Sequence, residues 1–300
     1  MLYIAKAASV VTICLLLGGV QSHVRTKHAL TDEPSREDLG EYGASVSTGV
    51  KAFPRAFKFP ADVKVDQLFG IDVSHYQDQI DWDKIPAQGA SFVFIKATQG
   101  ADFYDPTFDR NWHKTASLHA TFPRFHRGAY HFMTAVDSAD LQAQNFLGTV
   151  GNGAASDLPA CLDVEWDFVI RDKKPILDKQ GQRIDQWANL SQGEIAQRVS
   201  RWLTLVEAAT GRKPIIYTNS SWWKTRVGTT SSFQGFTFCI SDFSSHSLGK
   251  ESPTTLNGAQ WFLWQLTDQG EFTKGGITKM VDATVYHGSL TDFEAQFGIR

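Results

Sequence analysis

The run Phe92-Val93-Phe94-Ile95, within the segment Phe92–Thr98, places apolar side chains on both faces of a predicted β-strand. Strands of this kind are typical of parallel sheets covered by helices, because neither face meets water. Seven other segments also read as short strands. In chain order the eight predicted strands are Phe69–Ser74, Phe92–Thr98, Gly128–Phe132, Ala160–Glu165, Pro214–Asn219, Phe236–Phe243, Trp261–Thr267 and Val281–Tyr286.

Helical patterns separate the early strands. The clearest helix lies between the fourth and fifth strands, where Ser191 and Glu194 form a capping box and Gly211 ends the helix. Weaker helical patterns follow the first three strands, and the helical signal fades after the fifth. This order predicts an α/β fold of the TIM-like type, a barrel whose β/α units give way to plain strands, and not a doubly wound sheet. The weaker helical segments are Trp82–Gln88, Pro106–Leu118 and Ser138–Leu147.

Length and charge narrow the class of protein. The chain has 300 residues, of which 42% are hydrophobic, and this is enough to form a sizeable core. The 29 Lys and Arg residues against 32 Asp and Glu residues give a formal net charge of -3. Because there is no basic excess to neutralise phosphates, we expect no binding to nucleic acid.

The N-terminal part of the chain divides into two segments. Residues 1–22 contain Lys6 and then an apolar run from Ala7 to Val20, which indicates an export signal peptide. A retained membrane anchor is the alternative, but this run falls short of the roughly 20 residues that span a bilayer, so we expect no stable membrane insertion after cleavage. Residues 23–66 are rich in charge and are predicted to form a poorly ordered tether. Residues 67–300 are predicted to form the barrel domain.

Four acidic residues lie where a barrel gathers its reactive groups, near strand ends. Asp72 ends the first strand, Asp163 and Glu165 end the fourth, and Asp282 lies on the eighth. Since side chains alternate along a strand, Asp163 and Glu165 point to the same face. Crowding and partial burial disfavour ionising all four, so one carboxyl is expected to stay protonated beside a charged neighbour. Cleavage of a glycosidic bond needs this combination.

The histidines and cysteines point to no metal and no cofactor. None of the nine histidines has the spacing that puts two metal ligands on one helix face. His131 is interpreted as structural, and His75 as bonded within its loop, with substrate contact as the alternative. Cys161 and Cys239 fall on the fourth and sixth strands, which a barrel separates beyond disulfide reach. We therefore expect two buried thiols.

Three tryptophans in predicted loops are candidates for stacking on a glycan. Trp187 lies in the polar loop Asp167–Ala188, and Trp222 and Trp223 follow the fifth strand. Aromatic rings in loops bind sugars, but they also pack into cores. Core packing is therefore the alternative for each of them.

Short motifs follow one another in order from about Phe69 to Gly288. They are Gly70-Ile71-Asp72-Val73-Ser74-His75-Tyr76-Gln77, Ile80-Asp81-Trp82, Phe94-Ile95-Lys96-Ala97-Thr98-Gln99-Gly100, Gly128-Ala129-Tyr130-His131-Phe132, Leu162-Asp163-Val164-Glu165, Ile216-Tyr217-Thr218, Trp264-Gln265 and Val281-Asp282. Together they resemble the motifs of glycoside hydrolase family 25, which comprises lysozyme-like muramidases. The resemblance implies a single (β/α)5(β)3 barrel that cleaves the β-1,4 bond between N-acetylmuramic acid and N-acetylglucosamine.

The resemblance also implies roles for the acids. Glu165 matches the proton donor, and Asp163 matches the residue that stabilises charge or orients the acetamido group of the substrate. Asp72 and Asp282 match the other two acids of the pocket. Asp163 and Glu165 occupy neighbouring inward positions of one strand and cannot easily flank a sugar ring, which favours a substrate-assisted mechanism.

Contacts to the sugar are implied for the aromatic and amide side chains of the groove. Trp166, beside the acid pair, is a further candidate contact. The candidate substrate-binding residues are Tyr130, Tyr217, Trp264, Gln265 and Trp166. On the sixth strand the chain has Cys239-Ile240-Ser241-Asp242-Phe243 where the family usually has Trp-Ile-Ala-x-Tyr, so one aromatic sugar contact is expected to be missing.

The sequence thus predicts an exported muramidase that acts as a monomer on peptidoglycan glycan strands, in the periplasm or outside the cell. A chitinase-like glycosidase is an alternative, but Pro159-Ala160-Cys161-Leu162 replaces the longer acidic run that usually precedes its Asp-x-Glu pair. A non-catalytic protein that binds cell-wall glycan is a second alternative, from a different class.

Overall fold

Strands dominate the computed structural model, which describes residues 56–299 apart from 173, 230 and 257–260. They are β1 (Phe57–Phe59), β2 (Leu68–Val73), β3 (Ala90–Gln99), β4 (Phe103–Tyr104), β5 (His126–Phe132), β6 (Cys161–Asp163), β7 (Ile170–Arg171), β8 (Lys174–Pro175), β9 (Ile215–Asn219), β10 (Thr237–Ser241), β11 (Leu263–Phe272) and β12 (Val281–Tyr286).

Eight of these strands close into a barrel. Strands β2, β3, β5, β6, β9, β10 and β11 pair in parallel, in that order. Strand β12 completes the ring by pairing antiparallel with both β11 and β2. All eight strands predicted from the sequence are present, and the predicted α/β barrel is confirmed.

The direction of the last strand departs from a fully parallel barrel. Only residues 273–280 separate β11 from β12. A parallel connection needs a crossover of about a dozen residues or more, whereas an antiparallel pair needs only a turn. The short link therefore forces β12 to run back beside β11.

Helices cover the outside of the barrel. They are α1 (Phe108–Leu118), α2 (Ala139–Val150), α3 (Gln192–Thr210), α4 (Ser220–Arg226), α5 (Ser245–Lys250) and α6 (Leu290–Phe297). The capping box of Ser191 and Glu194 starts α3, and Gly211 ends it with a φ of 69°. The helical pattern predicted after the first strand forms two 3-10 helices, Trp82–Lys84 and Pro86–Gln88. No helix among the described residues has both the length and the apolar character to cross a membrane.

Side chains alternate between the barrel interior and the layer under the helices. On β3, Phe92 and Phe94 belong to the interior cluster, whereas Val93 and Ile95 join the outer core. Helix α6 closes the amino end of the barrel, where the Phe293 ring lies 5.1 Å from that of Phe92. The interior is therefore packed with side chains, as in other small barrels, and is not a pore.

Glycine makes room for this interior packing. A Cβ atom on Gly70 would lie 2.1 Å from the Phe92 ring. We expect Gly70→Ala to destabilise the fold by about 1–3 kcal/mol, because the overpacked ring has to shift. Urea unfolding measures this difference. Gly193→Ala is the control, since no atom lies within 4 Å of a Cβ added there, and equal losses in both variants would contradict the packing argument.

The ordered domain begins earlier than predicted. Strand β1 pairs in parallel with the end of β11, and the Phe59 ring stacks 4.5 Å from that of Phe272. Phe57 and Phe59 are 3% and 0% exposed. The prediction that the tether extends to Asp66 is therefore wrong, because these two aromatic residues, separated by Lys58, bury one face of a strand. The predicted signal peptide and the tether up to residue 55 lie outside the described residues.

Candidate active site

The four predicted acids meet in one cleft at the carboxyl ends of the parallel strands. Asp72 lies near the end of β2, Asp163 ends β6, and Glu165 follows two residues later. Asp282 reaches the same rim from the start of β12, because that strand is antiparallel and its Asp282 pairs with Asp72. The reversal of the last strand thus places its first residues, and not its last, in the cleft.

Asp72 is held by a chain of hydrogen bonds. The Tyr217 hydroxyl donates to Oε1 of Gln265 at 2.8 Å, and Nε2 of Gln265 donates to Oδ2 of Asp72 at 3.1 Å. The Thr284 hydroxyl donates to the same oxygen at 3.2 Å. These bonds fix the position of the Asp72 carboxyl at the rim of the cleft.

The titration of Asp163 and Glu165 is strongly perturbed by burial. Burial raises the pKa of Glu165 to about 7, and the charge of Asp282 adds to this while that of Lys96 opposes it. Burial and the neighbouring Glu165 raise the pKa of Asp163 well above its usual value. Asp163 is 8% exposed, and its Oδ1 has no hydrogen-bond partner among the described residues. Near neutral pH the pair of Asp163 and Glu165 is thus suited to hold one proton for transfer, next to an oxygen of Asp163 that can accept a hydrogen bond.

Aromatic side chains form the walls of the cleft. Tyr130 and Tyr217 line it, and burial raises the pKa of both phenols, so they are neutral donors. Trp166 is half-buried, and its ring is nearly parallel to that of Phe168, with centroids 6.2 Å apart. Phe243 also lines the cleft, so an aromatic ring remains at the end of the sixth barrel strand although Cys239 replaces a tryptophan.

Trp264 does not lie in the cleft, contrary to the sequence prediction. Neighbouring residues of a strand point to opposite sides, and Gln265 takes the inward position. Trp264 is 3% exposed in the outer core, where its indole N–H donates to the backbone oxygen of Asp242 at 2.9 Å. It is therefore excluded from the candidate substrate contacts.

The three tryptophans predicted to lie in loops also pack into the core, Trp222 and Trp223 from helix α4 and Trp187 from the 3-10 helix Gln186–Asn189. Trp187, Trp222 and Trp223 are 0%, 0% and 3% exposed. None of them lines the described cleft. The structure thus favours the core-packing alternative over a sugar platform for each of them.

Trp187 nevertheless touches the site through the backbone. Its indole N–H donates to the backbone oxygen of Glu165 at 2.9 Å. Two residues beyond Glu165, the Asp167 carboxylate accepts the backbone N–H of Ala135 at 2.7 Å and Nε2 of Gln186 at 3.0 Å. These bonds fix the segment that carries Glu165. Sequence reasoning missed Asp167 as a cleft residue, although it continues the two-residue spacing of Asp163 and Glu165.

We expect Trp187→Phe to lower kcat about tenfold with little change in KM, because Glu165 loses an anchor of its backbone. Steady-state kinetics on soluble glycan fragments measures both constants. Trp202→Phe is a matched control, since Trp202 is equally buried and its indole nitrogen has no partner among the described residues. Equal kinetic effects of the two substitutions would contradict a specific role for the Trp187 bond.

The remaining predictions on His and Cys residues agree with the structure. Cys161 and Cys239 are buried free thiols at the floor of the cleft. Burial lowers the pKa of His131 to about 3, and its Nδ1 and Nε2 lie within hydrogen-bond distance of Thr98 and Gln142. His75 makes a hydrogen bond to a second loop, with its Nδ1 2.8 Å from Oδ2 of Asp105, which follows β4.

Comparisons with known proteins point to one family. The model of glycosyl hydrolases family 25 matches residues 71–275. The chain is 32% identical over 251 residues to the protein YegX of Escherichia coli K12, covering 82% of this chain and 77% of that one. It is 31% identical over 252 residues to lysozyme M1 of Streptomyces globisporus, covering 82% and 76%.

A solved structure shares the barrel. The bacterial lysozyme from Streptomyces coelicolor superposes with a TM-score of 0.64 at 28% sequence identity. The match covers 78% of this chain and 99% of that chain. The family match covers most of the barrel, and the cluster of acids at the barrel rim agrees with membership of a glycosidase family. The chain belongs to glycosyl hydrolases family 25 and is a glycoside hydrolase.

Proposed function

We propose that the protein is an exported muramidase that hydrolyses the β-1,4 bond between N-acetylmuramic acid and N-acetylglucosamine in peptidoglycan. One observation carries the proposal. Four carboxyls share one rim of the barrel, and burial raises the pKa of one of them, Glu165, to about 7. Similarity to lysozyme M1 supports the substrate class.

In the proposed reaction Glu165 is the general acid. It donates its proton to the glycosidic oxygen while the bond from that oxygen to the sugar C1 breaks. The acetamido oxygen of the same sugar attacks C1, and Oδ1 of Asp163 accepts the acetamido N–H. Water then opens the resulting ring at C1, and Glu165, now ionised, takes the proton of that water. The unpartnered Oδ1 of Asp163 supports this assignment.

Asp72 and Asp282 complete the electrostatic surroundings of the reaction. Their negative charge favours the positive charge that develops at C1 in the transition state. Asp282 also favours the protonated form of Glu165, because it opposes a second negative charge nearby. Tyr130, Tyr217 and Gln265 are proposed as sugar contacts, together with Trp166.

Digestion of purified peptidoglycan, followed by mass spectrometry of the fragments, tests the proposed function. Products with N-acetylmuramic acid at the reducing end are expected. Anhydro-sugar products or cleaved stem peptides would contradict it. Chitin digested in parallel tests the chitinase-like alternative, which predicts release of reducing ends from chitin and none from peptidoglycan.

The proposal also states that the protein is exported and that it is a monomer. The apolar run in residues 7–20 supports export, and residues 1–22 would be removed in that process. N-terminal sequencing of the protein recovered outside the cytoplasm should give a chain that begins near His23. Light scattering of that material should give the mass of a single chain, and a larger mass would contradict the monomer.

The charge of Asp282 should set the alkaline limit of activity. A general acid works only while protonated, so activity should fall as pH rises through the pKa of Glu165, about 7. Asp282→Asn removes a charge that raises this pKa, and the alkaline limb of the kcat profile should therefore move to lower pH. Asp109→Asn on the exposed side of α1 is the control and should leave the limb in place. A limb that stays fixed in Asp282→Asn would contradict the electrostatic role.

A further inference from the structure

The general acid proposed above lies outside the regular strands of the barrel. Strand β6 ends at Asp163, and the residues that follow, 164–167, carry Glu165 into the cleft. We call residues 164–167 the Glu165 segment. A residue inside a sheet is fixed by the hydrogen bonds of its strand, whereas a residue beyond the strand end depends on other contacts. The position of Glu165 therefore depends on the groups that bond to this segment.

Arg226 and Asp185 form a partly buried ion pair. Arg226 is the last residue of α4, and its Nε donates to Oδ2 of Asp185 at 2.8 Å. Nη2 of Arg226 lies 2.7 Å from the same oxygen. The Arg226 side chain is 21% exposed and that of Asp185 is 5% exposed. Two charged donors on one buried oxygen hold the carboxylate more firmly than a single surface contact does.

The second oxygen of Asp185 bonds to the backbone on the far side of Glu165. Oδ1 accepts the backbone N–H of Trp187 at 3.3 Å and that of Asp167 at 3.4 Å. The Trp187 indole N–H in turn donates to the backbone oxygen of Glu165 at 2.9 Å. Asp185 thus links Arg226 to the groups that hold the Glu165 backbone.

Arg226 also contacts the Glu165 segment directly. Its Cζ lies 5.6 Å from the ring centroid of Trp166, the residue that follows Glu165 and lines the cleft. A guanidinium within about 6 Å of an indole ring is attracted to it. One side chain therefore acts on the segment at two points, through the Trp166 ring and through Asp185.

The chain closes a loop at this ion pair. The Cα atoms of Phe168 and Asp185 pair in an antiparallel bridge, so residues 169–184 leave the Glu165 segment and return to it. The backbone N–H of Val169 donates to the oxygen of Ile184 at 2.9 Å and supports this closure. Because Asp185 bonds to Arg226, the closing point of the loop is fixed to helix α4.

We propose that Arg226 is a positioning residue of the reaction, which holds the Glu165 segment in place through Asp185 and Trp166. The inference rests on the proposed role of Glu165 as general acid. Arg226 is not among the described residues that line the cleft, so it acts on the sugar only through the residues that it holds. Since a displacement of about 1 Å can cost roughly a hundredfold in rate, loss of this anchor should lower kcat more than it changes KM.

The test compares steady-state kinetics of the wild type and Arg226→Met on soluble glycan fragments. Arg226→Met should lower kcat about tenfold, with KM changed less than about threefold. Thermal unfolding of the same samples is measured as well, because loss of a partly buried ion pair also destabilises the fold. A kcat equal to that of the wild type would overturn the proposal.

Arg127→Met is the matched control, near the amino end of β5 and away from the cleft. Nε of Arg127 lies 2.7 Å from Oδ1 of Asp157, with side chains 15% and 5% exposed, and its Cζ lies 3.8 Å from the Trp112 ring centroid. The control thus loses the same kinds of contact. It should lose stability but keep kcat within about twofold of the wild type. Equal losses of kcat in the two variants would overturn the proposal, because general destabilisation would explain both.

A double-mutant cycle with Trp187→Phe tests the route to Glu165. Arg226 and Trp187 belong to one chain of contacts, so the combined variant Arg226→Met/Trp187→Phe should lower kcat by less than about thirtyfold. Two independent losses of about tenfold each would multiply to about a hundredfold. That outcome would overturn the proposal, because the two residues would then act separately.

Glu165→Gln separates this inference from the proposed function on which it rests. If Glu165→Gln stays active, the proposed function fails. If Glu165→Gln is inactive while Arg226→Met keeps the wild-type kcat, only the Arg226 inference fails.

Discussion

Glu165→Gln is expected to lower kcat on peptidoglycan about a thousandfold, because an amide cannot supply a proton to the leaving oxygen. The side chain keeps its size and its place in the cleft two residues after β6, so binding of the glycan should survive. Release of reducing ends measures turnover, and sedimentation with insoluble peptidoglycan measures binding. A non-catalytic binding protein predicts no difference in turnover between the variant and the wild type.

Thermal unfolding distinguishes a loss of catalysis in Glu165→Gln from a loss of folding. The pKa of Glu165 is about 7 in the fold against 4.5 in the unfolded chain, so the folded state binds more protons between these values. Its stability therefore falls as pH rises through this window, and a neutral glutamine removes the penalty. Glu165→Gln should unfold at the same temperature as the wild type or higher at pH 7. Glu271→Gln, at an exposed position of β11, is the matched control and should keep full activity.

Asp163→Asn is expected to lower kcat by roughly a hundredfold, because it removes a buried charge placed to stabilise the transition state. The amide keeps one oxygen that can accept the acetamido N–H, so KM should change much less than kcat. Steady-state kinetics at several pH values measures both constants. The alkaline limb should also move to lower pH, since Glu165 loses a neighbouring negative charge that opposes its own ionisation.

Asp268→Asn provides the comparison for this variant. Asp268 lines the same cleft and is also 8% exposed, but it lies on β11, away from the Asp163 and Glu165 pair. Its kcat should fall less than about tenfold. Equal losses in the two variants would mean that any cleft carboxyl contributes alike, which contradicts a specific role for Asp163.

Local patterns in the sequence predict most of the fold. Short β-rich runs identify all eight barrel strands, and several of them, such as Phe92–Thr98, are apolar on both faces because a covered parallel sheet requires apolar side chains inside and outside. The direction of β12 was not anticipated, although the short link of residues 273–280 carries the necessary information. Strand β1 was missed because a three-residue strand has too few positions to show alternation.

The acids of the site were easier to place than its aromatic residues. Asp163 and Glu165 are two positions apart on a strand, and this spacing alone brings them to one face. The same rule excludes having both Trp264 and Gln265 in the groove, since neighbouring residues of a strand point to opposite sides. Trp187 lies in the 3-10 helix Gln186–Asn189, which is too short to show a periodic pattern, so its burial depends on tertiary contacts that no local pattern contains.

The closed floor of the barrel limits how a polymer approaches. Phe92 and the α6 residue Phe293 fill the space below the cleft, so the described residues leave no passage along the barrel axis. The proposed glycan substrate would therefore lie across the rim instead of threading through from a free end. In that arrangement, bonds in the middle of the strand would be as open to attack as those at its tips.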